Sequence, residues 1–229
     1  MKTVAFAERR IFDNREDAGK LLFNSFKDYL STELTLVAIP NGGVVVASII
    51  AVLTKKTLKV AISKKVALAD MRIIGLGAIA HNHILLNEER IQKLQLSKAQ
   101  ICTSVKETQM LKTKDEAILK DYLVSANDIR DKAVCIIDDG VSSGYTMLAA
   151  IKEIMEYYPK NITVLTPVIH NNASNLLEQL GINVYALYID DKTKYVVDDF
   201  YTFFEYVSSF QAREMLERVN NKYEIRVFE

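Results

Sequence analysis

Ala133-Val-Cys-Ile-Ile-Asp138-Asp139-Gly-Val-Ser-Ser-Gly-Tyr-Thr146 is the stretch whose reading decides the fold. Four apolar residues, Val134 to Ile137, have the length and β-branched character of a buried strand. Two adjacent carboxylates end it, a short loop of Gly and hydroxyl residues follows, and a helical pattern starts near Gly144. Such a loop can turn its backbone N–H groups toward an anion at the helix N-terminus. An Asp-Asp pair alone would be no more than a solvated strand end. With the loop and helix beside it, the stretch predicts a site for a phosphorylated, polyhydroxylated small molecule.

Working outward, the pattern on both sides is strand alternating with helix. Downstream, Met147, Leu148, Ile151, Ile154, Met155 and Tyr158 share one helix face, and Pro159 and Asn161 end it. Ile162 to Val168 reads as a strand, Asn172 to Leu180 as a helix closed by Gly181, and Val184 to Ile189 as a strand. Upstream, Phe12 to Leu30 reads as a helix capped by Asp13 or Asn14, and Leu34 to Ile39 as a strand ended by the turn Pro40-Asn41-Gly42-Gly43. Val44 to Leu53 is too long and too evenly apolar for a strand and predicts a helix, with Leu58 to Ile62 the next strand. This order implies an α/β fold, a doubly wound and mostly parallel sheet with helices on both faces. Ligands then sit at the carboxyl ends of the strands, where both turns fall.

Between these halves the rhythm breaks. Ser63 to Arg72, with Lys64, Lys65, Asp70 and Arg72, reads as a mobile loop. Ile73 to Asn87 predicts a β-hairpin turning near Asn82, and Ser97 to Gln100 has the form of a capping box opening a polar helix that reaches about Tyr122. Its apolar stripe, Ile101, Val105, Thr108, Leu111, Ile118 and Tyr122, is thin. After Asp190 the chain is less regular, with acidic and aromatic residues and a short helix from about Ala212 to Val219.

Composition narrows the function class. The 229 residues fit a single domain, half of them hydrophobic, and the 29 basic and 29 acidic residues cancel. That balance argues against a general nucleic-acid or membrane-surface binder. Met1 to Arg10 carries three basic residues and an acid before any apolar run, unlike a signal peptide, and the longest apolar run is too short for a bilayer. Cys102 and Cys135 lie far apart without metal-like spacing, so a cytoplasmic location is expected. His81 and His83 flank a predicted turn and have no companion ligands, and Gly75-Leu-Gly77 is only part of a dinucleotide fingerprint.

The 134–146 segment resembles the signature of type I phosphoribosyltransferases, which bind phosphoribosyl pyrophosphate (PRPP). Gly140 stands where the signature has an apolar residue, and Tyr145 is large for its position. A predicted and uncharacterised branch of that family is similar over about residues 11 to 205: Phe12-Asp-Asn-Arg15-Glu-Asp-Ala18-Gly19, the turn Pro40–Gly43, then Gly77-Ala-Ile-Ala80 and Leu86-Asn87-Glu88. The resemblance implies one phosphoribosyltransferase domain over 1–229, with its core at about 11–190. A small hood from 190–229 and the chain start would cover it, and the hairpin and long helix would form an insertion.

It also implies roles. Asp138 and Asp139 would accept from the ribose hydroxyls and favour positive charge at C1 as pyrophosphate leaves. Val141, Ser142, Ser143, Gly144, Tyr145 and Thr146 would hold the 5-phosphate. Asn41, Gly42 and Gly43 would hold pyrophosphate through the backbone, with Lys64 and Lys65 reaching it. Mg²⁺ would bind through diphosphate and ribose oxygens with retained waters, and no protein group beyond Asp138 and Asp139 is expected to touch it. Asp198, Phe200 and Tyr201 are candidates for the acceptor side. Asn41 replaces the branch's usual Arg, which removes a cation. Ser142 stands where 6-oxopurine enzymes carry an Asp, and a serine is no general base at neutral pH, so hypoxanthine and guanine are disfavoured. The expected partners are PRPP, an unidentified acceptor and a second copy of the chain; the alternative is a non-catalytic PRPP- or nucleotide-binding regulator on the same fold.

Overall fold

The structure, a computed structural model, describes residues 2–5, 11–69, 71–192 and 195–221. The parts of the expected hood that fall on 6–10, 193–194 and 222–229 lie outside the described residues. In chain order the elements are β1 (Lys2–Val4), α1 (Arg15–Ser25), α2 (Lys27–Leu30), β2 (Thr35–Ala38), α3 (Gly42–Thr54) and β3 (Leu58–Val60). Then come β4 (Ser63–Leu68), β5 (Met71–Ala80), β6 (His83–Leu86), α4 (Glu88–Lys93), α5 (Lys98–Leu119) and α6 (Ala126–Ile129). Last are β7 (Ala133–Ile137), α7 (Tyr145–Met155), β8 (Asn161–His170), α8 (Asn171–Gln179), β9 (Asn183–Asp190) and α9 (Ser209–Asn220).

Six strands form a parallel sheet in the order β1-β9-β8-β7-β2-β3. The central strands are apolar along both faces because both are covered. Leu36, Cys135 and Ile137 join the core under α1, α3 and α9, while Val37, Val134 and Ile136 alternate to the opposite core under α7 and α8. The chain leaves β2 outward to β3 and returns on the other side at β7, so winding reverses between β2 and β7. The carboxyl ends of these two strands carry Pro40–Gly43 and Asp138–Thr146, which places both turns at the switch point.

The long N-terminal helix is two helices, broken where Phe26 leaves helical geometry at φ −126° and ψ 28°. Asn14 is the cap, its side chain accepting from the Asp17 N–H at 2.9 Å. In α3, burial of Val44, Val45, Val46 and Ile50 overrides the modest helix preference of β-branched residues. The short edge strand β1, paired to β9 from Lys2 to Val4, was not legible in three residues of mixed character.

The stretch read as a loop is a strand. β4 pairs antiparallel with β5, and β5 with β6 through the turn at His81-Asn82, giving a second, three-stranded sheet. The alternation was hidden because β4 carries a lysine on each face and is bulged at Val66 and Ala67. One face of this arm buries Val66, Leu76 and Ile79 against α4 and α5. The other sets Ala78 and Ala80 against Ala149 and Tyr145 of α7. The long helix opens with the expected capping box at Ser97 and Gln100. Its inward side is mixed: Val105, Ile118 and Leu119 pack on the apolar cores, Ser104, Thr108, Lys112 and Asp115 are buried beside them, and Leu111 is exposed. Asp115 explains part of this, since it receives both Lys64 of β4 and the Ser209 hydroxyl of α9.

Candidate active site

At the end of β7 the two acids occupy different surroundings. Asp138 turns an oxygen back to its neighbour's backbone, accepting from the Asp139 N–H at 2.9 Å. Burial, and then repulsion from Asp139, hold its carboxyl well above the usual carboxylate range. Asp139 faces Arg15, whose Nε donates to Asp139 Oδ2 at 2.7 Å. The same guanidinium donates through Nη1 to the Glu205 carbonyl at 2.7 Å and lies 3.7 Å from the Phe204 ring centre. Arg15 therefore ties the start of α1, the end of β7 and the segment before α9 into one charge-compensated cluster.

The turn after β2 comes up against both acids with nothing between. A Cβ at Gly42 would sit 2.0 Å from Asp139 Oδ2 and 2.8 Å from Arg15 Nε; one at Gly43 would sit 3.0 Å from Asp138 Cα. Only glycine allows this approach. The Pro40–Asn41 peptide bond is cis. Asn41 leaves its own side chain without a cation, but the Arg15 guanidinium stands beside the turn in its stead.

On the other side of Asp138 lies a cavity of about 240 Å³, lined by Ser142, Ser143, Gly144 and Thr146 of the loop. Gly144 makes the turn into α7 at φ 82°, and the first-turn N–H groups of that helix have no intrahelical acceptor. The Val141 N–H is not among the available donors, because it is spent on the Val168 carbonyl at 2.9 Å. Tyr145 points away from the cavity into its contact with the arm. The arm supplies two cations to the same cavity, Lys65 and Arg90, and the Ser63 hydroxyl donates to the Thr146 carbonyl at 2.8 Å. Lys64, next along the strand, points to the opposite face and pairs with Asp115. Of the two lysines, only Lys65 reaches the cavity. Gly140, unusual for the signature, is explained by the hood: a Cβ there would fall 2.5 Å from Val197.

The residues expected on the acceptor side separate. Phe200 and Tyr201 are core, 1% and 6% exposed; Tyr201 donates its hydroxyl to the Asp139 carbonyl at 2.6 Å. They support the hood and present no open ring. Asp198 instead lines a cavity of about 370 Å³ with Arg15, Asn41, Gly42, Phe204, Glu205 and Tyr206. Phe204, expected from the sequence with Asp198, Phe200 and Tyr201 as part of the hood, does line it; Arg15, Arg90 and Tyr206 were not assigned roles from sequence. Arg15 lay within the quoted N-terminal motif and Arg90 two residues beyond Leu86-Asn87-Glu88, but neither carries a local signal of what it faces.

Among the described residues no three His, Cys, Asp or Glu side chains converge as a metal site. Nor, among them, is any helix long and apolar enough to cross a membrane.

Comparison with known proteins agrees with this fold. Two proteins of Mycobacterium tuberculosis, from strains CDC 1551 and H37Rv, carry the provisional name phosphoribosyl transferase. Each is 22% identical to this chain over 160 residues, which are 69% of the chain and 36% of the relative. The chain thus matches about a third of the length of these curated relatives. The crystal structure of TT1426 from Thermus thermophilus has the same fold, with TM-score 0.65 and 23% identity over 90% of this chain and 97% of that one. The phosphoribosyl transferase domain family matches residues 9–201, the span that holds the acid pair, both turns and the arm, and the chain belongs to that family.

Proposed function

We propose that the protein is a phosphoribosyltransferase, using PRPP and Mg²⁺ to transfer a 5-phosphoribosyl group to a nucleophile with release of pyrophosphate. One observation carries the reading. The Asp138–Asp139 pair is flanked on one side by a cationic, hydroxyl-lined anion cradle and on the other by a glycine turn in direct contact with both acids.

In this reading the 5-phosphate takes the cradle, held by the N–H groups and hydroxyls of Ser142, Ser143 and Thr146 and neutralised by Lys65 and Arg90. The ribose hydroxyls donate to the carboxylate oxygens left free, since one oxygen of Asp139 belongs to Arg15 and one of Asp138 to the Asp139 N–H. Pyrophosphate lies along the backbone of Asn41, Gly42 and Gly43. As the C1–oxygen bond lengthens, positive charge grows on the sugar; the Asp139 carboxylate stabilises it, and that charge in turn favours the ionised form of Asp138 beside it. The site suits a magnesium ion carried mainly by ligand oxygens, since it offers at most the free oxygens of these two acids. When bound, the ion would offset charge on the departing pyrophosphate.

A second reading, a PRPP-binding regulator without turnover, is favoured by the neutral Asn41 and by the commitment of Asp139 to Arg15. Calorimetry with Mg-PRPP and a pyrophosphate-release assay separate the two. Heat of binding and acceptor-dependent release, both abolished by joint Asp138→Asn and Asp139→Asn replacement, support the enzyme. Binding without release from any acceptor supports the regulator, and absence of binding contradicts both.

A further inference from the structure

The partial fingerprint Gly75-Leu-Gly77 has no use in the site as described, yet it lies in the arm that brings Lys65 and Arg90 to the cradle. Ser63 pairs with Ala80 and Lys65 with Ala78, and residues directly opposite on antiparallel strands share a face. That face is the one set on α7. Ala78 and Ala80 pack with Ala149 and Tyr145, and the Ser63 hydroxyl, shielded from water at 2% exposure, donates to the Thr146 carbonyl at 2.8 Å. Lys65, two residues further along the same face, is thereby brought to the cavity of about 240 Å³.

The register then shifts. Val66 pairs with Gly77 but Ala67 with Gly75, so Leu76 is the extra residue at the bulge. In unbroken register Leu76 would stand opposite Ala67, on the face of Lys65. The bulge sends it to the other face, where it is buried with Val66 and Ile79, and puts Gly75 in its place. The Lys65 stem lies across this glycine, where a Cβ would fall 3.2 Å from Lys65 Cδ. The Gly75 carbonyl accepts from Arg90 Nη1 at 3.0 Å, and the Leu76 carbonyl accepts from the Asn87 N–H at 2.7 Å. Asn87 in turn caps α4, its Oδ1 accepting from the Arg90 N–H at 2.8 Å. At Gly77 a Cβ would meet the Leu85 carbonyl oxygen at 1.9 Å, so only glycine lets β6 approach. Resting on the donor placement proposed above, we infer that Ser63 and Gly75 are positioning residues for the donor's 5-phosphate, acting through Lys65 and Arg90. Ser63 sets the seat of the arm on the cradle helix, and the bulge gathers both cations around one glycine. A neutral change at either residue therefore costs attraction for the phosphate without removing a charge.

The test is calorimetry of Mg-PRPP binding at two ionic strengths, in the wild type, Ser63→Ala, Gly75→Val, Lys65→Ala and the variant joining Gly75→Val to Lys65→Ala. Valine suits a strand, but its branches take the path of the Lys65 stem. Gly75→Val should weaken binding about tenfold, as Lys65→Ala does, and Ser63→Ala about fivefold, the effect of one buried hydrogen bond. Both should flatten the salt dependence although neither removes a charge, because a displaced ammonium no longer attracts the phosphate. Added to Lys65→Ala, Gly75→Val should cost less than about twofold more. Wild-type affinity and salt dependence in both neutral variants overturn the inference. So does weaker binding with unchanged salt dependence, the mark of general loosening, or full additivity in the double variant. If one neutral variant does not fold, the other decides. A wild type that gives no heat with Mg-PRPP overturns the donor placement itself, whereas intact binding with insensitive variants overturns only the roles of Ser63 and Gly75.

Discussion

Replacing Arg15 with methionine keeps most of the buried aliphatic volume and removes the charge. The side chains of Arg15 and Asp139 are 10% and 15% exposed, so the pair is largely desolvated. Removing one partner of such a pair leaves the other uncompensated, at a cost of about 3–5 kcal/mol. Partial exposure places the expected loss near the lower end, about 3 kcal/mol. For a chain of this size that corresponds to a fall in Tm of roughly 6–12 °C. The assay is thermal unfolding followed by circular dichroism near neutral pH, with the full double-mutant cycle. Asp139→Asn added to Arg15→Met should recover more than half of the loss, because the neutral amide no longer needs a counter-charge. Mg-PRPP binding should be lost in both variants. A loss below about 1 kcal/mol for Arg15→Met, or strictly additive effects in the double variant, would refute the view that Arg15 neutralises the acid pair.

Three other expectations follow from the same geometry. Gly42→Ala forces a Cβ onto Asp139 Oδ2, where the gap is 2.0 Å, and the displaced carboxylate should cost at least about 100-fold in Mg-PRPP turnover; an unimpaired variant counts against the turn's role. Lys65→Ala and Arg90→Ala should each weaken Mg-PRPP about tenfold and flatten its salt dependence, whereas Lys64→Ala should leave affinity alone, as read by calorimetry at two ionic strengths. Glu153, buried on α7 near Lys112, Glu116 and Glu156, is pushed by burial from 4.5 up to about 7. Its folded-state pKa is raised, so its stabilising effect is full below pH 4.5 and is lost as pH rises through 7. Relative to wild type, Glu153→Gln should therefore gain up to about 3 kcal/mol above pH 7 and nothing below 4.5; parallel Tm curves across that range contradict this.

The central architecture was legible in the sequence because it depends on local patterns. Val134–Ile137 could only be a buried strand, and its acids and glycine-hydroxyl loop could only lie at a carboxyl edge once the strand–helix alternation implied a parallel sheet. What stayed hidden depends on contacts across the fold. β4 was misread as a loop because Lys64 and Lys65 serve different partners on opposite faces. The inward face of α5 includes polar residues because Asp115 must meet Lys64 and Ser209, a pairing no periodicity reveals. Phe200 and Tyr201 looked like an aromatic platform, yet the rings at the open cavity are Phe204 and Tyr206. Arg15 and Asp139 lie 124 residues apart in the chain, and their 2.7 Å bond has no local signature. Gly140, an anomaly in the motif, became intelligible only beside Val197.

The most direct measurement is a crystal structure of the protein with Mg-PRPP. The 5-phosphate should lie within hydrogen-bond reach of the N–H groups of Ser142 to Thr146, with Lys65 and Arg90 on its open side. The ribose hydroxyls should meet Asp138 and Asp139, and the diphosphate should follow the backbone of Asn41 to Gly43. A donor bound elsewhere, or lying in the reverse sense with its diphosphate in the Ser142–Thr146 cradle, would contradict the account.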